Sequence, residues 1–243
     1  MRIAIVSDVH GNRHAFDAVL EEADTGGCDE LWCLGDLVGY GAEPDACVQR
    51  AQAHAAVCLA GNHDLAVLGV LDLGIFSAGA RTAVEWTQQV IAEPSLAFLR
   101  TLAPASVAEQ VGLYHASPRD PVWEYVLSPL QAELSMDVQQ HRVCVVGHTH
   151  IALSFGRPEP GSTTGQTRSE GEVLQLGQGE WLLNPGSVGQ PRDGDSRAAW
   201  LELDLDAWTA TYRRVEYDVP GAAAAIHAAG LPASLAERLS FGQ

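Results

Sequence analysis

Histidine, aspartate and asparagine residues follow five short apolar runs of the sequence, each directly where the run ends. Carboxylate oxygens, amide oxygens and imidazole nitrogens are metal ligands, and an imidazole can also exchange a proton with a reacting group. One such turn is as often structural as functional, but five of them indicate a shared chemical site. The motifs are Asp8-Val9-His10, Gly35-Asp36, Gly61-Asn62-His63-Asp64, His115 and Gly147-His148-Thr149-His150.

The chemistry of this set favours transition metals. Leaving His63 aside, it offers two carboxylates, four imidazoles and one amide oxygen. That is more nitrogen than magnesium or calcium sites use and less sulfur than structural zinc sites contain, which favours manganese, iron, zinc or cobalt. Seven ligands exceed what one ion holds, whereas two ions about 3.5–4 Å apart that share a carboxylate would use them all. The seven are Asp8, His10, Asp36, Asn62, His115, His148 and His150.

The apolar runs before these residues have the length and composition of buried strands. Helical spacing over Arg13 to Gly26, and again over about Asp45 to Ala53, separates the first three runs. That alternation is typical of a βαβαβ unit with parallel strands. Because ligand-binding groups collect at the carboxyl ends of such strands, we expect the five motifs to converge. The runs are Ile3–Val6, Leu31–Leu34, Ala56–Ala60, Val111–Tyr114 and Val143–Val146.

The rest of the chain divides into a helical insertion and a β-rich second half. Residues 65–104 are predicted to be mostly helical, and five further strands are expected between residues 151 and 217. The stretch from Arg157 to Gly171 is rich in Gly, Ser, Thr and Pro, which predicts a flexible loop between two strands. Two short alanine-rich helices close the chain. We expect one domain over residues 1–243.

Composition restricts the partners. The net charge of −17 argues against broad binding to extended nucleic acid. A small anionic substrate stays open, because bound cations reverse the local charge. No run approaches the ~18 apolar residues of a membrane span. The five cysteines lie mostly in apolar runs without zinc-site spacing, so we expect reduced thiols in a cytoplasmic protein without a membrane partner.

In their order, the motifs resemble the calcineurin-like metallophosphoesterases. The matching residues, Asp-x-His, Gly-Asp, Gly-Asn-His-Asp, a later His and Gly-His-x-His, span residues 8–150. Asn184-Pro185-Gly186-Ser187 is similar to an element of the small bacterial and archaeal phosphodiesterase branch. The resemblance implies an α/β (α+β) fold, a four-layer αββα sandwich of two mixed β-sheets flanked by helices.

The resemblance also implies a role for each motif residue. Two divalent transition-metal ions are implied, manganese first, with iron, zinc, cobalt or nickel as alternatives. Asp36 would bridge the ions, and His63 would face the substrate as general acid or transition-state stabiliser. We further expect Asp64 to orient His63 by accepting a hydrogen bond from its other ring nitrogen. The implied ligands are Asp8, His10, Asp36 and His150 for one ion, and Asp36, Asn62, His115 and His148 for the other.

The implied activity is hydrolysis of a small phosphodiester or nucleotide by a metal-activated hydroxide. Phosphoprotein phosphatases and many diadenosine tetraphosphatases of the family carry Gly-Asp-x-x-Asp-Arg-Gly. The stretch from Gly35 to Gly41 lacks that arginine. The missing arginine weakens both assignments. Because some small relatives are regarded as diadenosine tetraphosphatases, dinucleotide polyphosphate hydrolysis remains an alternative, beside serine/threonine phosphoprotein phosphatase.

A non-catalytic metal-binding scaffold or a nucleotide-binding regulator is the alternative from another class. Retention of His63 beside all the ligand residues argues against the scaffold. The resemblance leaves a homo-oligomer open. Arg119, Arg192 and Arg197 could contact a phosphate or form surface ion pairs, so they receive no role. Five tryptophans are more typical of core than of a base-stacking surface: Trp86, Trp123, Trp181, Trp200 and Trp208.

Overall fold

A computed structural model describes residues 1–159 and 161–243. Within these ranges the strands are β1 (Arg2–Val6), β2 (Glu30–Cys33), β3 (Ala55–Cys58), β4 (Ala105–Ala108), β5 (Val111–Tyr114), β6 (Val143–Val146), β7 (Ala152–Arg157), β8 (Thr164–Thr167), β9 (Val173–Gln175), β10 (Glu180–Pro185), β11 (Ala198–Asp204) and β12 (Thr209–Val215). The α-helices are α1 (Arg13–Thr25), α2 (Pro44–His54), α3 (Asn62–Val67), α4 (Ala78–Val90), α5 (Glu93–Leu99), α6 (Pro129–Met136), α7 (Val219–Ala228) and α8 (Ala233–Glu237). Short 3₁₀ turns cover Leu73–Ile75 and Arg238–Ser240.

The strands form two mixed six-stranded sheets. The first has the order β3-β2-β1-β11-β12-β9 and the second β4-β5-β6-β10-β7-β8. β1, β2 and β3 are parallel, as the βαβαβ pattern predicts, and β11 runs antiparallel to β1. In the second sheet β5, β6 and β10 are parallel, whereas β4 and β7 are antiparallel to their neighbours.

Alternation along the strands separates three apolar layers. Ile3 and Ile5 face the core between the two sheets, together with Val145 of β6. Ala4 and Val6 of the same strand face the helices over the first sheet. α6 covers the outer face of the second sheet. Because both faces of β1 and β6 are covered, their sequences are continuously apolar rather than alternating. The predicted four-layer αββα sandwich is confirmed.

One prediction about the second half is wrong. Arg157 to Gly171 was expected to form a loop without regular structure, but Thr164–Thr167 forms β8 and pairs antiparallel with β7. All four residues of β8 are exposed, so the strand has no apolar alternation that a sequence pattern could detect. Pro160 of this stretch lies outside the described residues. The single-domain organisation stays a prediction.

None of the helices in the described ranges has both the length and the apolar character needed to cross a membrane.

Candidate metal centre

The five motifs converge at the carboxyl ends of β1, β2, β3, β5 and β6. Backbone hydrogen bonds tie neighbouring motifs together. The Asp8 N–H donates to the Gly35 carbonyl (3.0 Å), and the Gly147 N–H donates to the His115 carbonyl (2.8 Å). Across the two sheets, the His148 N–H donates to Asp8 Oδ2 (2.9 Å). The predicted convergence is therefore present.

The backbone at these motifs adopts left-handed conformations that non-glycine residues rarely adopt. Such residues cluster at functional sites, where the surrounding structure must compensate the strain. The hydrogen bonds between neighbouring motifs provide that compensation. Six non-glycine residues of the site have φ between 50° and 65°: Asp8, His10, Asp36, Tyr40, His148 and His150.

The segment Asn184-Pro185-Gly186-Ser187 holds the motifs of the two sheets together. Asn184 Nδ2 donates to the Gly147 carbonyl (2.7 Å) and to Thr149 Oγ1 (2.9 Å). Ser187 Oγ donates to the Asp8 carbonyl (2.8 Å). The two buried polar side chains therefore support residues of the site rather than lining it.

Asp8, His10 and His150 form the first half of the site. The Nδ1 atoms of His10 and His150 face the carbonyls of Val38 (3.1 Å) and Gln190 (2.6 Å). A carbonyl only accepts hydrogen bonds, so each Nδ1 carries the ring hydrogen and each Nε2 presents a lone pair. These two Nε2 atoms lie 3.1 Å apart. They are 3.7 and 3.3 Å from Asp8 Oδ1, which is buried and has no hydrogen-bond partner within the described ranges.

Asp36, Asn62, His115 and His148 form the second half. The Nδ1 atom of His115 faces the Leu34 carbonyl (2.9 Å), which again leaves Nε2 as an acceptor. This Nε2 lies 3.2 Å from Asn62 Oδ1. The Nε2 atom of His148 is buried, and no residue that the structure describes forms a hydrogen bond with it. Asp36 Oδ2 lies 3.6 Å from Nε2 of both His10 and His115, midway between the two halves.

These contacts fit bound cations. Lone pairs and carboxylate oxygens face one another without a proton between them, which is repulsive unless a cation lies among them. Burial lowers the pKa of the imidazoles of His10, His115, His148 and His150, to about 3 at His148, so these rings are neutral at neutral pH. Burial, followed by the charges of Asp64 and Asp8, raises the pKa of Asp36 well above its usual range.

Among the described residues, three groups of side chains each bring their candidate ligand atoms within 4.8 Å of one another. The groups are Asp8, His10 and His150; His10, Asp36 and His63; and Asp36, His115 and His148.

His63 lies beside the centre, but Asp64 does not orient it. Asp64 Oδ2 accepts from the Gly61 N–H (2.8 Å) and Oδ1 from the Val38 N–H (3.2 Å). Among the described residues, His63 Nδ1 has no hydrogen-bond partner. The predicted contact from Asp64 is therefore wrong, because the carboxylate satisfies backbone groups of the turn instead. Gly39 makes room for the ring: a Cβ there would lie 2.3 Å from His63 Nδ1.

A cavity of about 380 Å³ opens over the centre. His63, Asp36, Asn62, His148 and His150 line one side of it. Further lining residues come from loops and from the end of the chain, away from the strand-end motifs, so no pattern in the sequence points to them. Trp123 packs against the apolar core, as expected, and also borders this cavity. The lining residues other than the motif residues are Tyr40, Ile75, Phe76, Ser77, Ala80, Trp123, Tyr125, Arg192, Arg238 and Gln243.

Comparison with known proteins identifies the family. The family model described as the calcineurin-like phosphoesterase superfamily domain matches residues 1–206. The chain belongs to this superfamily. Membership implies a metal-dependent phosphoester hydrolase that acts on small phosphoesters, and the resemblance inferred from the motifs is confirmed.

Relatives of this calcineurin-like phosphoesterase occur in bacteria and archaea. An uncharacterised protein of Methanocaldococcus jannaschii is 36% identical over 247 residues, covering 99% of this chain and 98% of its own. The crystal structure of a metallophosphoesterase from Sphaerobacter thermophilus is similar with a TM-score of 0.91 and 40% identity, covering 100% of this chain and 99% of its own. A symmetrical bis(5'-nucleosyl)-tetraphosphatase of Glaesserella parasuis is 39% identical over 74 residues, which is 29% of this chain and 27% of that protein.

Proposed function

We propose that this calcineurin-like phosphoesterase is a dinuclear metal-dependent phosphodiesterase that hydrolyses a small phosphodiester or nucleotide. The position of Asp36 Oδ2, 3.6 Å from the free ring nitrogens of both His10 and His115, carries the proposal. A carboxylate oxygen midway between two sets of neutral imidazoles is the arrangement that a bridging ligand requires. The remaining ligands are those assigned above, and manganese is the ion we expect in both sites.

Two bound divalent ions would lower the pKa of a water molecule towards neutrality and polarise the phosphoryl oxygens. The chain supplies the rest of the chemistry. The imidazoles of His10, His115 and His150 donate their Nδ1–H groups to backbone carbonyls, which fixes each of these rings with its Nε2 atom towards the centre. The aromatic side chains of Phe76 and Trp123 border the cavity and would exclude water from one side of a bound ester.

His63 is the residue that we place against the substrate. Burial lowers the pKa of its imidazole well below the usual range, so at neutral pH the ring is neutral and carries one N–H group. This favours hydrogen-bond donation to an oxygen that gains charge over transfer of a stored proton. His63 therefore acts as a transition-state stabiliser in the proposal, and as a proton donor only if bound substrate raises its pKa.

The test is hydrolysis of bis-p-nitrophenyl phosphate by protein treated with EDTA and then supplied with manganese. Activity should return with manganese, and His63→Ala should lower kcat by about 10²–10³-fold, the effect of losing one transition-state hydrogen-bond donor, while metal content stays unchanged. His227→Ala, in the exposed part of α7, is the matched control and should keep full activity. Bound manganese without turnover of any phosphoester would contradict the enzyme and favour a scaffold. Saturable nucleotide binding without product would favour a regulator.

Dinucleotide polyphosphate hydrolysis is the second candidate, favoured by the arginine side chains of Arg192 and Arg238 in the cavity wall. Turnover of diadenosine tetraphosphate should be compared with that of bis-p-nitrophenyl phosphate and p-nitrophenyl phosphate. A tetraphosphate rate far above the diester rate would replace the first candidate. Cytoplasmic location and a homo-oligomer remain predictions, which fractionation and light scattering would test.

A further inference from the structure

The arginines of this chain are almost all neutralised by carboxylates. The sequence contains 14 arginines and no lysine. Between residues that the structure describes, ten of the arginines form ion pairs. In a protein with a net charge of −17, an arginine without a carboxylate partner is unusual. The four exceptions within the described ranges are Arg81, Arg142, Arg192 and Arg238.

Two of these four arginines, Arg192 and Arg238, donate hydrogen bonds to the same side chain. Gln190 Oε1 accepts hydrogen bonds from Arg192 Nη2 (3.0 Å) and from Arg238 Nη1 (3.1 Å). Gln190 is only 2% exposed, so its side chain is a fixed anchor for both guanidinium groups. Arg192 and Arg238 both line the cavity over the centre. The two groups thus present unused N–H donors to the same space.

Holding the two cations together is unfavourable without an anion. Burial and the positive charge of Arg192 lower the pKa of Arg238. A neutral amide oxygen satisfies one N–H group of each arginine but supplies no opposite charge. A phosphate group would do so, because its oxygens match the planar fork of a guanidinium.

The pair is coupled to the centre through His150 and Tyr40. The Arg192 N–H donates to the His150 carbonyl (3.0 Å), and the Gln190 carbonyl accepts from His150 Nδ1 (2.6 Å). The Arg192 guanidinium lies 5.6 Å from the Tyr40 ring centre. That ring is in turn 4.5 Å from the ring of His63. The pair therefore flanks the centre on the Tyr40 side of His63.

We propose that Arg192 and Arg238 form a second anion subsite, which binds a phosphate group of the substrate other than the one that is hydrolysed. The inference rests on the proposed function and narrows its substrate class to nucleotides that carry an additional phosphate. Arg238 lies outside residues 1–206, the part that the family model matches, so the end of the chain contributes to substrate choice.

The first experiment measures anion binding without metals. Calorimetric titration of EDTA-treated protein with sodium tripolyphosphate should show saturable binding that Arg238→Gln weakens about tenfold to a hundredfold, the effect of losing a charge-assisted hydrogen bond. Arg192→Gln should weaken it similarly, and Arg238→Lys should restore part of the affinity. Arg142→Gln is the control. Arg142 also lacks a carboxylate partner in the described ranges and donates to the Leu176 carbonyl instead, but it precedes β6 and lies at the strand end opposite His148. Unchanged binding in both arginine variants, with thermal unfolding like the wild type, would overturn the proposal.

The second experiment separates the subsite from the hydrolysed group. In the manganese-loaded protein, Arg238→Gln should lower kcat/KM for diadenosine tetraphosphate at least tenfold more than for bis-p-nitrophenyl phosphate, which has no second phosphate. Equal losses on both substrates would place the pair on the hydrolysed group and overturn the inference. A wild type that binds tripolyphosphate through Arg238 but hydrolyses no phosphoester would refute the proposed function and leave the subsite standing.

Discussion

At the scale of single residues, the site depends most on Asp36. Its carboxylate faces ring nitrogens of both halves, and its Oδ1 accepts the His63 N–H (2.8 Å). One side chain thus positions both the oxygen that we propose the two ions share and the start of α3. A change at Asp36 should affect both proposed ions, whereas a change at a ligand of one half should affect one.

We expect Asp36→Asn to lose most of both ions. An amide has one acceptor oxygen and no charge, so the loss should exceed the roughly 10–100-fold cost in affinity of removing an outer hydrogen-bond partner. Metal content per chain, measured by elemental analysis after dialysis, should fall below one ion. Asp206→Asn, at an exposed position, should keep the wild-type content. Retention of one tightly bound ion would show that Asp36 does not bridge.

The seven proposed ligands could be found from the sequence because each follows an apolar run, and the sheet then brings them together. Their binding of metal stays a prediction. The cavity wall could not be found in this way. Trp123 and Arg238 lie far from the motifs in sequence, and their position depends on how loops and the last helices pack over the strands. Arg192 was noticed only as a candidate for phosphate contact or for a surface ion pair.

At the scale of secondary-structure elements, the loop after β2 and the start of α3 must fit against each other. Gly39 in that loop has φ +88° and lies against the His63 ring. Gly69, just after α3, has φ +75° and no atom within 4 Å of an added Cβ. The two glycines share a left-handed backbone conformation but differ in their surroundings. Comparing an alanine substitution at each position therefore separates the effect of backbone strain from the effect of displacing His63.

Both Gly39→Ala and Gly69→Ala should lose about 1–2 kcal/mol of unfolding free energy from left-handed strain. Only Gly39→Ala should also lose activity, because the methyl group would overlap the His63 ring and move it. Urea unfolding and hydrolysis of bis-p-nitrophenyl phosphate measure the two effects. Full activity in Gly39→Ala would mean that the position of His63 is not critical.

The elements that the sequence predicted well are the strands that are buried on both faces and the helices that have one buried face. β1 and β6 are continuously apolar, and α1 and α4 have a buried stripe at helical spacing. β8 was missed because each of its residues is exposed. α3 begins at Asn62, inside a motif that looked like a turn, because backbone N–H groups at its start are satisfied by Asp36 and Asp64.

At the scale of the whole molecule, the centre joins the two sheets. Asp8, Asp36 and Asn62 follow strands of the first sheet, whereas His115, His148 and His150 follow strands of the second. Bound ions would therefore hold the sheets together at one edge, in addition to the apolar core between them. Metal binding should then stabilise the entire fold.

Thermal unfolding should show this stabilisation directly. At a free manganese concentration near a thousand times the dissociation constant, each bound ion contributes about 4 kcal/mol. For a chain of this size each ion therefore raises Tm by roughly 8–16 °C over the EDTA-treated protein. Asp36→Asn should abolish most of the rise. An unchanged Tm in the wild type, with manganese shown to be bound, would mean that the ions bind the unfolded chain as tightly as the folded one, and would contradict a site that exists only when the two sheets are assembled.

The strand order also has a consequence for how the chain is made. Every proposed ligand lies within the first 150 residues, so all are synthesised before β10 and β11. Yet β11 is the neighbour that covers one edge of β1, and β10 covers one edge of β6. A nascent chain at that stage would carry a complete ligand set on two sheets whose edge strands have unpaired backbone N–H and C=O groups, which can pair with other chains. We therefore expect the ions to enter only after synthesis has passed residue 204, when both edges have been covered.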